Sequence, residues 1–145
     1  MNIRSESVEF PRFRQVFASS RCAVVTDGYF AWPENDLYPA WIHPRDGALL
    51  LLGGLLQRST VTGVRPRFSV LSTRPNALVK RFQTRMPVMI ALKHLDEWLM
   101  GRSEAALKML EPAPSAGLVA TRVSEYVNDV KHDDAGCLAP PSYEL

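Results

Sequence analysis

Gln83-Thr84-Arg85-Met86-Pro87-Val88 marks a change from one kind of local structure to another, and the fold class follows from that change. Ahead of it, Thr73 stands before Arg74 to Phe82, with Pro75 just inside. A hydroxyl at the cap and a proline in the first turn are helix-start signals, so Arg74 to Phe82 is expected to be a short helix capped by Thr73. Behind the stretch, Pro87 to Ala91 reads as a strand. Short helices alternating with short strands predict an α+β domain.

The same alternation recurs outward in both directions. Leu92, Leu95, Trp98 and Leu99 have helical spacing up to Gly101, and Ser103 to Leu110 forms a further short helix ended by Pro112. Leu118 to Val123 is the last predicted strand, and the tail from His132 reads as loop. Towards the amino terminus, Arg67 to Ser72 is β-like and Ser59 to Arg65 reads as a mobile loop. The apolar run Ala48 to Leu56 is a buried strand whose Gly53-Gly54 pair signals a bulge or a close backbone approach. Pro39 to His43, Tyr29 to Trp32 and Cys22 to Thr26 are further strands, the last two flanking the turn signal Asp27-Gly28. Phe13, Val16 and Phe17 place a helix over Pro11 to Ala18. No repeat interrupts the chain, so one strand-rich domain over residues 1–145 is expected.

Composition narrows the function classes. At 145 residues the chain can bury roughly two-thirds of its unfolded surface as one domain. Hydrophobic residues at 46% and charged residues at 22% suit a soluble globular protein, and eleven prolines favour short elements. The run Ala48 to Leu56 is too short to span a bilayer, and the opening residues do not read as a leader. Two cysteines, Cys22 and Cys137, lack a C-x-x-C spacing, and His43, His94 and His132 lie far apart. No disulfide, metal site or cofactor is expected. Between Asp46 and Asp96 there is no acidic residue, while Arg58, Arg65, Arg67, Arg74, Lys80, Arg81, Arg85 and Lys93 fall in that span. Such a block attracts phosphates, and arginine forks onto their oxygens or stacks on bases.

The opening stretch resembles the His-Asp-Arg-Met-Pro-Val motif of the SRAP family, the SOS-response-associated peptidases or abasic-site-processing proteins. Further segments are similar in the same order: Asn2-Ile3-Arg4-Ser5-Glu6, Phe13-Arg14 with Arg21-Cys22, Asp27-Gly28-Tyr29-Phe30-Ala31-Trp32, Pro39 to Ile42, Gly54-Leu55, Leu71-Ser72-Thr73, and Val123 to Asn128. The resemblance implies a distorted barrel-like sheet with short peripheral helices. It implies binding of single-stranded DNA at abasic sites in the cytoplasm, at the nucleoid. In that family an N-terminal cysteine traps the sugar aldehyde through its amine and thiol, while asparagine, glutamate and histidine organise the sugar and move protons. Asn2 matches the catalytic asparagine. Arg4, Thr73 and Arg85 match DNA-contacting positions. Ala31 stands at the glutamate position and Gln83 at the histidine position, and an amide does not exchange protons near neutral pH as imidazole does. The family's cysteine-led segment is expected before Asn2, and removal of Met1 here exposes no thiol.

Ordinary structural roles compete for the same residues. Arg4 and Arg85 can pair with Glu6 or Asp27 instead of phosphate, and Thr73 can cap a helix instead of facing DNA. Cys22, Trp32, Trp41 and Trp98 are expected in the core. Three functions follow: a SRAP-like domain binding single-stranded or abasic DNA without covalent capture, a cross-linking enzyme read from an internal start, or an interaction protein that self-associates through uncovered sheet edges.

Overall fold

The computed structural model describes residues 2–144; Met1 and Leu145, and with Met1 the expectation about the residue its removal exposes, lie outside them. In chain order the elements begin β1 (Asn2–Arg4), α1 (Pro11–Ser19), β2 (Arg21–Thr26), β3 (Tyr29–Ala31), β4 (Ala40–Pro44) and β5 (Leu50–Gln57). They continue β6 (Arg67–Thr73), β7 (Met86–Pro87), α2 (Leu95–Met100), α3 (Ser103–Leu107) and β8 (Leu118–Arg122), with short 3-10 turns between. The architecture is α+β, with the strands in two open sheets. Two compact units divide the chain: residues 2–26, Leu50–Arg74 and Arg85–Ala113 form the first, and Asp27–Leu49, Pro75–Thr84 and 114–144 the second.

The first unit carries the strand order β1-β6-β5-β2, with β1 parallel to β6 and the other pairings antiparallel. Its centre is a fork. Gly54 to Gln57 pair with Arg67 to Val70, but beyond Gly54 the two strands separate. The segment after Arg85 fills the gap: Val88 N donates to Leu71 O, Gly53 N to Val88 O and Ile90 N to Leu51 O, each at 2.8 Å. The Gly53-Gly54 pair makes the fork possible. A β-carbon on Gly54 would lie 2.9 Å from Ser69 O and 3.1 Å from Cys22 Sγ, and one on Gly53 3.1 Å from the Trp98 ring. The expected close backbone approach is therefore present.

Alternation along β6 sets the two faces of this sheet. Ser69, Leu71 and Thr73 are buried, and Ile3 of β1 lies opposite Leu71. With Val8, Phe17, Leu55, Val88, Ile90, Trp98 and Ala106, Ile3 and Leu71 form the core beneath α1, α2 and α3. Phe17 meets Trp98 edge to face at 6.0 Å between centroids, and Trp98 Nε1 donates to Cys22 O at 2.9 Å. Asn2 and Arg4, opposite Val70 and Ser72, face the other way and are exposed.

In the second unit, β4 pairs antiparallel with β3 and β8. Ala31, Ala40 and Ile42 make its buried face, whereas Phe30 and Trp41 share the opposite face at 4.7 Å between centroids. Trp32 is 45% exposed, its Nε1 donating to Asn128 Oδ1 at 2.7 Å. Of the three tryptophans expected in the core, Trp98 alone lies there. Period-2 alternation sends Phe30 and Trp41 to the face away from Ala31 and Ala40, which explains the difference. Cys22, also expected in the core, is half-buried on the sheet face away from the core cluster, because it lies opposite Gly54 in register.

The helix expected over Arg74 to Phe82 is replaced by a single 3-10 turn, Val79–Arg81, whose Val79 N is capped by Asn76 Oδ1 at 2.9 Å. Arg74 precedes proline and is thereby biased away from the helical region. Thr73 instead ends β6, paired with Met86.

Candidate nucleic-acid interface

Three short segments meet at the carboxyl end of β6. Arg4 lies opposite Ser72 on one side, and Pro87 lies opposite the same Ser72 on the other. Parallel pairing of β1 brings Glu6, in the 3-10 turn Ser5–Ser7 that follows, towards Arg85 at the entrance of β7. Arg85 Nη1 donates to Glu6 Oε1 at 2.9 Å and Nη2 to Glu6 Oε2 at 2.8 Å, while Nη2 also reaches Ser72 O at 2.6 Å. The guanidinium is thus clamped to a carboxylate and to the backbone of β6. That hydrogen-bonded cation holds the Glu6 carboxyl below its ordinary range, with burial opposing and Arg4 adding a weaker attraction.

Of the competing roles for Arg85, the ion pair with Glu6 is formed. Its second Nη1 hydrogen is not used by this pair, so one donor remains available. Arg4 is exposed and makes no ion pair among the described residues. Asn2 is exposed two residues before it on the same face. Thr73 is 4% exposed: its hydroxyl neither caps a helix nor stands on the open surface, because β6 alternation turns it inward. Asn2, Arg4, Thr73 and Arg85 therefore all gather in one sheet of the first unit.

The two replaced positions lie in the second unit. Ala31 is wholly buried opposite Ala40 in β3, and Gln83 closes a turn through its N–H to Val79 O at 2.9 Å. A methyl group and an amide offer no acid–base group at either position. Among the described residues no three of His, Cys, Asp or Glu converge as metal ligands, and both cysteines are free thiols. No helix among them is long and apolar enough to cross a membrane.

Arg21 is the residue whose role sequence reasoning missed. It is buried, and Nη1 donates to Phe17 O at 2.7 Å while Nε and Nη2 reach Trp98 O and Gly101 O. One cation therefore closes the carboxyl ends of both α1 and α2, where unpaired carbonyls gather. Burial away from water pushes its pKa down. A lone charged residue opening an apolar strand is the sole sequence signal for it.

An α+β chain with a forked sheet, two exposed polar residues on a short parallel strand and a clamped arginine at the fork defines a specific class. The SOS response associated peptidase (SRAP) family model matches residues 1–130, and the chain belongs to that family. It is 29% identical to the abasic site processing protein YoaM of Bacillus subtilis, over 95% of this chain and 65% of that protein. Against the abasic site processing protein YoqW of the same organism, identity is 27% over 92% of this chain and 63% of the relative. A crystal structure of a Bacteroides thetaiotaomicron protein shares the fold with a TM-score of 0.84 at 22% identity, covering 96% of this chain and 65% of that one. A Bordetella bronchiseptica structure gives 0.75 at 23% identity, covering 85% and 64%. The chain thus spans a little under two-thirds of the length of these relatives.

Proposed function

We propose that this chain binds single-stranded DNA at abasic sites, in the cytoplasm at the nucleoid, through the Asn2, Arg4 and Arg85 corner of its first sheet, and does so without covalent capture. The observation that carries this reading is the clamped Arg85 beside the unpaired Arg4, two guanidinium groups flanking one strand end. Arg4 takes a backbone phosphate directly. Arg85, oriented by Glu6, gives its remaining Nη1 hydrogen to a second phosphate. Thr73 is buried and serves by fixing the strand end that carries Ser72. Asn2 faces the same side and donates to the sugar. The relatives' names, abasic site processing proteins, support DNA carrying that lesion as the partner.

Ala31 and Gln83 carry the non-covalent half of the proposal. Ring closure on a sugar aldehyde needs proton transfer, and loss of one acid–base group typically slows a reaction by about 100- to 10,000-fold. Self-association through sheet edges is the competing reading. It is weakened at β2, where the Trp98 indole already occupies the Cys22 carbonyl.

The test mixes the protein with abasic and intact single-stranded oligonucleotides and analyses each mixture natively and after denaturation. Salt-sensitive native binding that vanishes on denaturation supports the proposal. A denaturant-resistant adduct on abasic DNA overturns its non-covalent half. Absence of binding at low salt overturns it altogether.

A further inference from the structure

The β5–β6 hairpin carries a second basic cluster, remote from the corner at Ser72. Every residue from Gln57 to Phe68 is exposed, among them Arg58, Arg65 and Arg67, and none of the three makes an ion pair among the described residues. The tip is not featureless. Ser59 Oγ accepts from Val61 N at 3.1 Å, Val64 N donates to Val61 O at 3.3 Å, and Gly63 takes a φ of 84°. A positive φ at the third turn position is what a type II turn requires, so the chain reverses locally at Gly63.

Register connects this tip to the corner described above. Phe68, Val70 and Ser72 alternate onto the sheet face that carries Asn2 and Arg4. Phe68 is 53% exposed, although a phenyl ring on an unpartnered surface gains nothing from water. From Arg67 to Ser72 the strand rises roughly 17 Å, about five nucleotides of stacked strand. The face that carries Arg4 on β1 therefore also carries the Phe68 ring on β6, and Arg58 and Arg65 follow in the exposed hairpin just beyond that ring.

From this arrangement we infer that the hairpin tip is a second nucleic-acid contact, which holds the single strand several nucleotides away from the Arg4–Arg85 corner by two phosphate pairs and one base stacked on Phe68. The inference rests on the reading of that corner as a DNA site. Nucleic acid fits better than an anionic lipid surface because the exposed Phe68 ring shares its sheet face with Arg4, part of a site for the same polymer. Arginine, unlike lysine, also forks onto single phosphates.

Fluorescence anisotropy with a single-stranded oligonucleotide of about 15 nucleotides, long enough to cover both clusters, tests it across a salt series. Arg58→Ala/Arg65→Ala lies outside both strands and Phe68→Ala is exposed, so circular dichroism should match the parent. Lys93→Ala/Arg102→Ala, exposed elsewhere on the same unit, removes equal charge as a control. The tip double variant should lower the slope of log affinity against log salt by about 1.4, and the control should not. Phe68→Ala should weaken binding by about tenfold with the slope unchanged. A parental slope in the tip variant, or an equal fall in the control, overturns the inference while leaving the corner reading intact. Tip-dependent binding to phosphatidylserine vesicles with unchanged DNA binding also overturns it. If the parent binds no oligonucleotide at all, both readings fall together.

Discussion

Arg85 and Glu6, 79 residues apart in sequence, form a two-pronged ion pair with both nitrogen–oxygen distances below 3 Å. The pair ties the entrance of β7 to the turn after β1, across the end of β6. A planar guanidinium held on both prongs is aimed as well as charged. Its remaining donor has a fixed direction, which a free surface arginine lacks.

The pH dependence of that pair has a definite sign. Glu6 is held below its ordinary value of 4.5 by the hydrogen bond from Arg85, so its stabilisation is present above that value and is lost as pH falls through the folded pKa. The Glu6 side chain is 60% exposed, and solvent screening limits the contribution to less than about 1 kcal/mol. Urea unfolding of Glu6→Gln should show a small loss at pH 7 that closes at pH well below 4.5. A gap of equal size at both values would assign Glu6 a role other than charge pairing.

Arg4 makes no comparable pair among the described residues, and its replacement separates binding from folding. Arg4→Gln should leave the unfolding midpoint unchanged and weaken single-stranded DNA binding for all base compositions. The salt slope should fall by about 0.7. Base-dependent loss of affinity would mean that Arg4 reads a base and not a phosphate.

Arg21 predicts a large stability effect far from any ligand. Arg21→Met leaves the buried carbonyls of Phe17 and Trp98 and the part-buried one of Gly101 without their donor and should cost about 3 kcal/mol. Arg21→Lys should recover only part of that, since an ammonium cannot fork between two helix ends. Guanidinium unfolding of both variants distinguishes the cases; near-parental stability for methionine would mean that water satisfies the freed carbonyls.

Gly54→Ala should destabilise by about 1–3 kcal/mol, because the new methyl meets the Ser69 carbonyl, which is held in the β6 ladder. Gly53→Ala meets side chains of Trp98 and Val88 that can shift by tenths of an ångström, and should cost less. Thermal unfolding ranks the two, and the reverse order would place the rigid neighbour on the wrong side of the sheet.

Tyr29 offers a change in the opposite direction. Its phenol oxygen is buried without a hydrogen-bond partner among the described residues, and burial pushes its pKa up. Tyr29→Phe removes that unsatisfied group and should leave the protein equally stable or more stable, by up to about 1 kcal/mol. A clear loss in calorimetry would reveal a bonded hydroxyl.

Most strands were legible because their signals are local. The apolar run from Ala48, the turn at Asp27-Gly28 and the alternation in Pro39 to His43 each need only neighbouring residues to be read. The failures share a cause as well. The helix expected after Thr73 is absent because β6 keeps Thr73 in a ladder with Met86, a partner that helix propensity cannot foresee. β1 carries no local signal, since Asn2–Arg4 is a three-residue strand whose pairing partner is the distant β6. Hydrophobicity alone puts Trp41 in the core, whereas strand register sends it to the other face, and Trp32, just past β3, is exposed with its indole bonded to Asn128.

By itself the amino-acid sequence determined the α+β class, the glycine pair at the fork, the acid-free basic block and the family, because each is written in residue type and spacing. Tertiary structure alone decided that Arg85 takes Glu6 and that Thr73 is buried. It alone placed Met86 to Ile90 between β5 and β6 and set Arg21 to closing two helices. Each of these joins groups distant in the chain, and the choice among many possible partners is made by burial and hydrogen-bond geometry in the folded state.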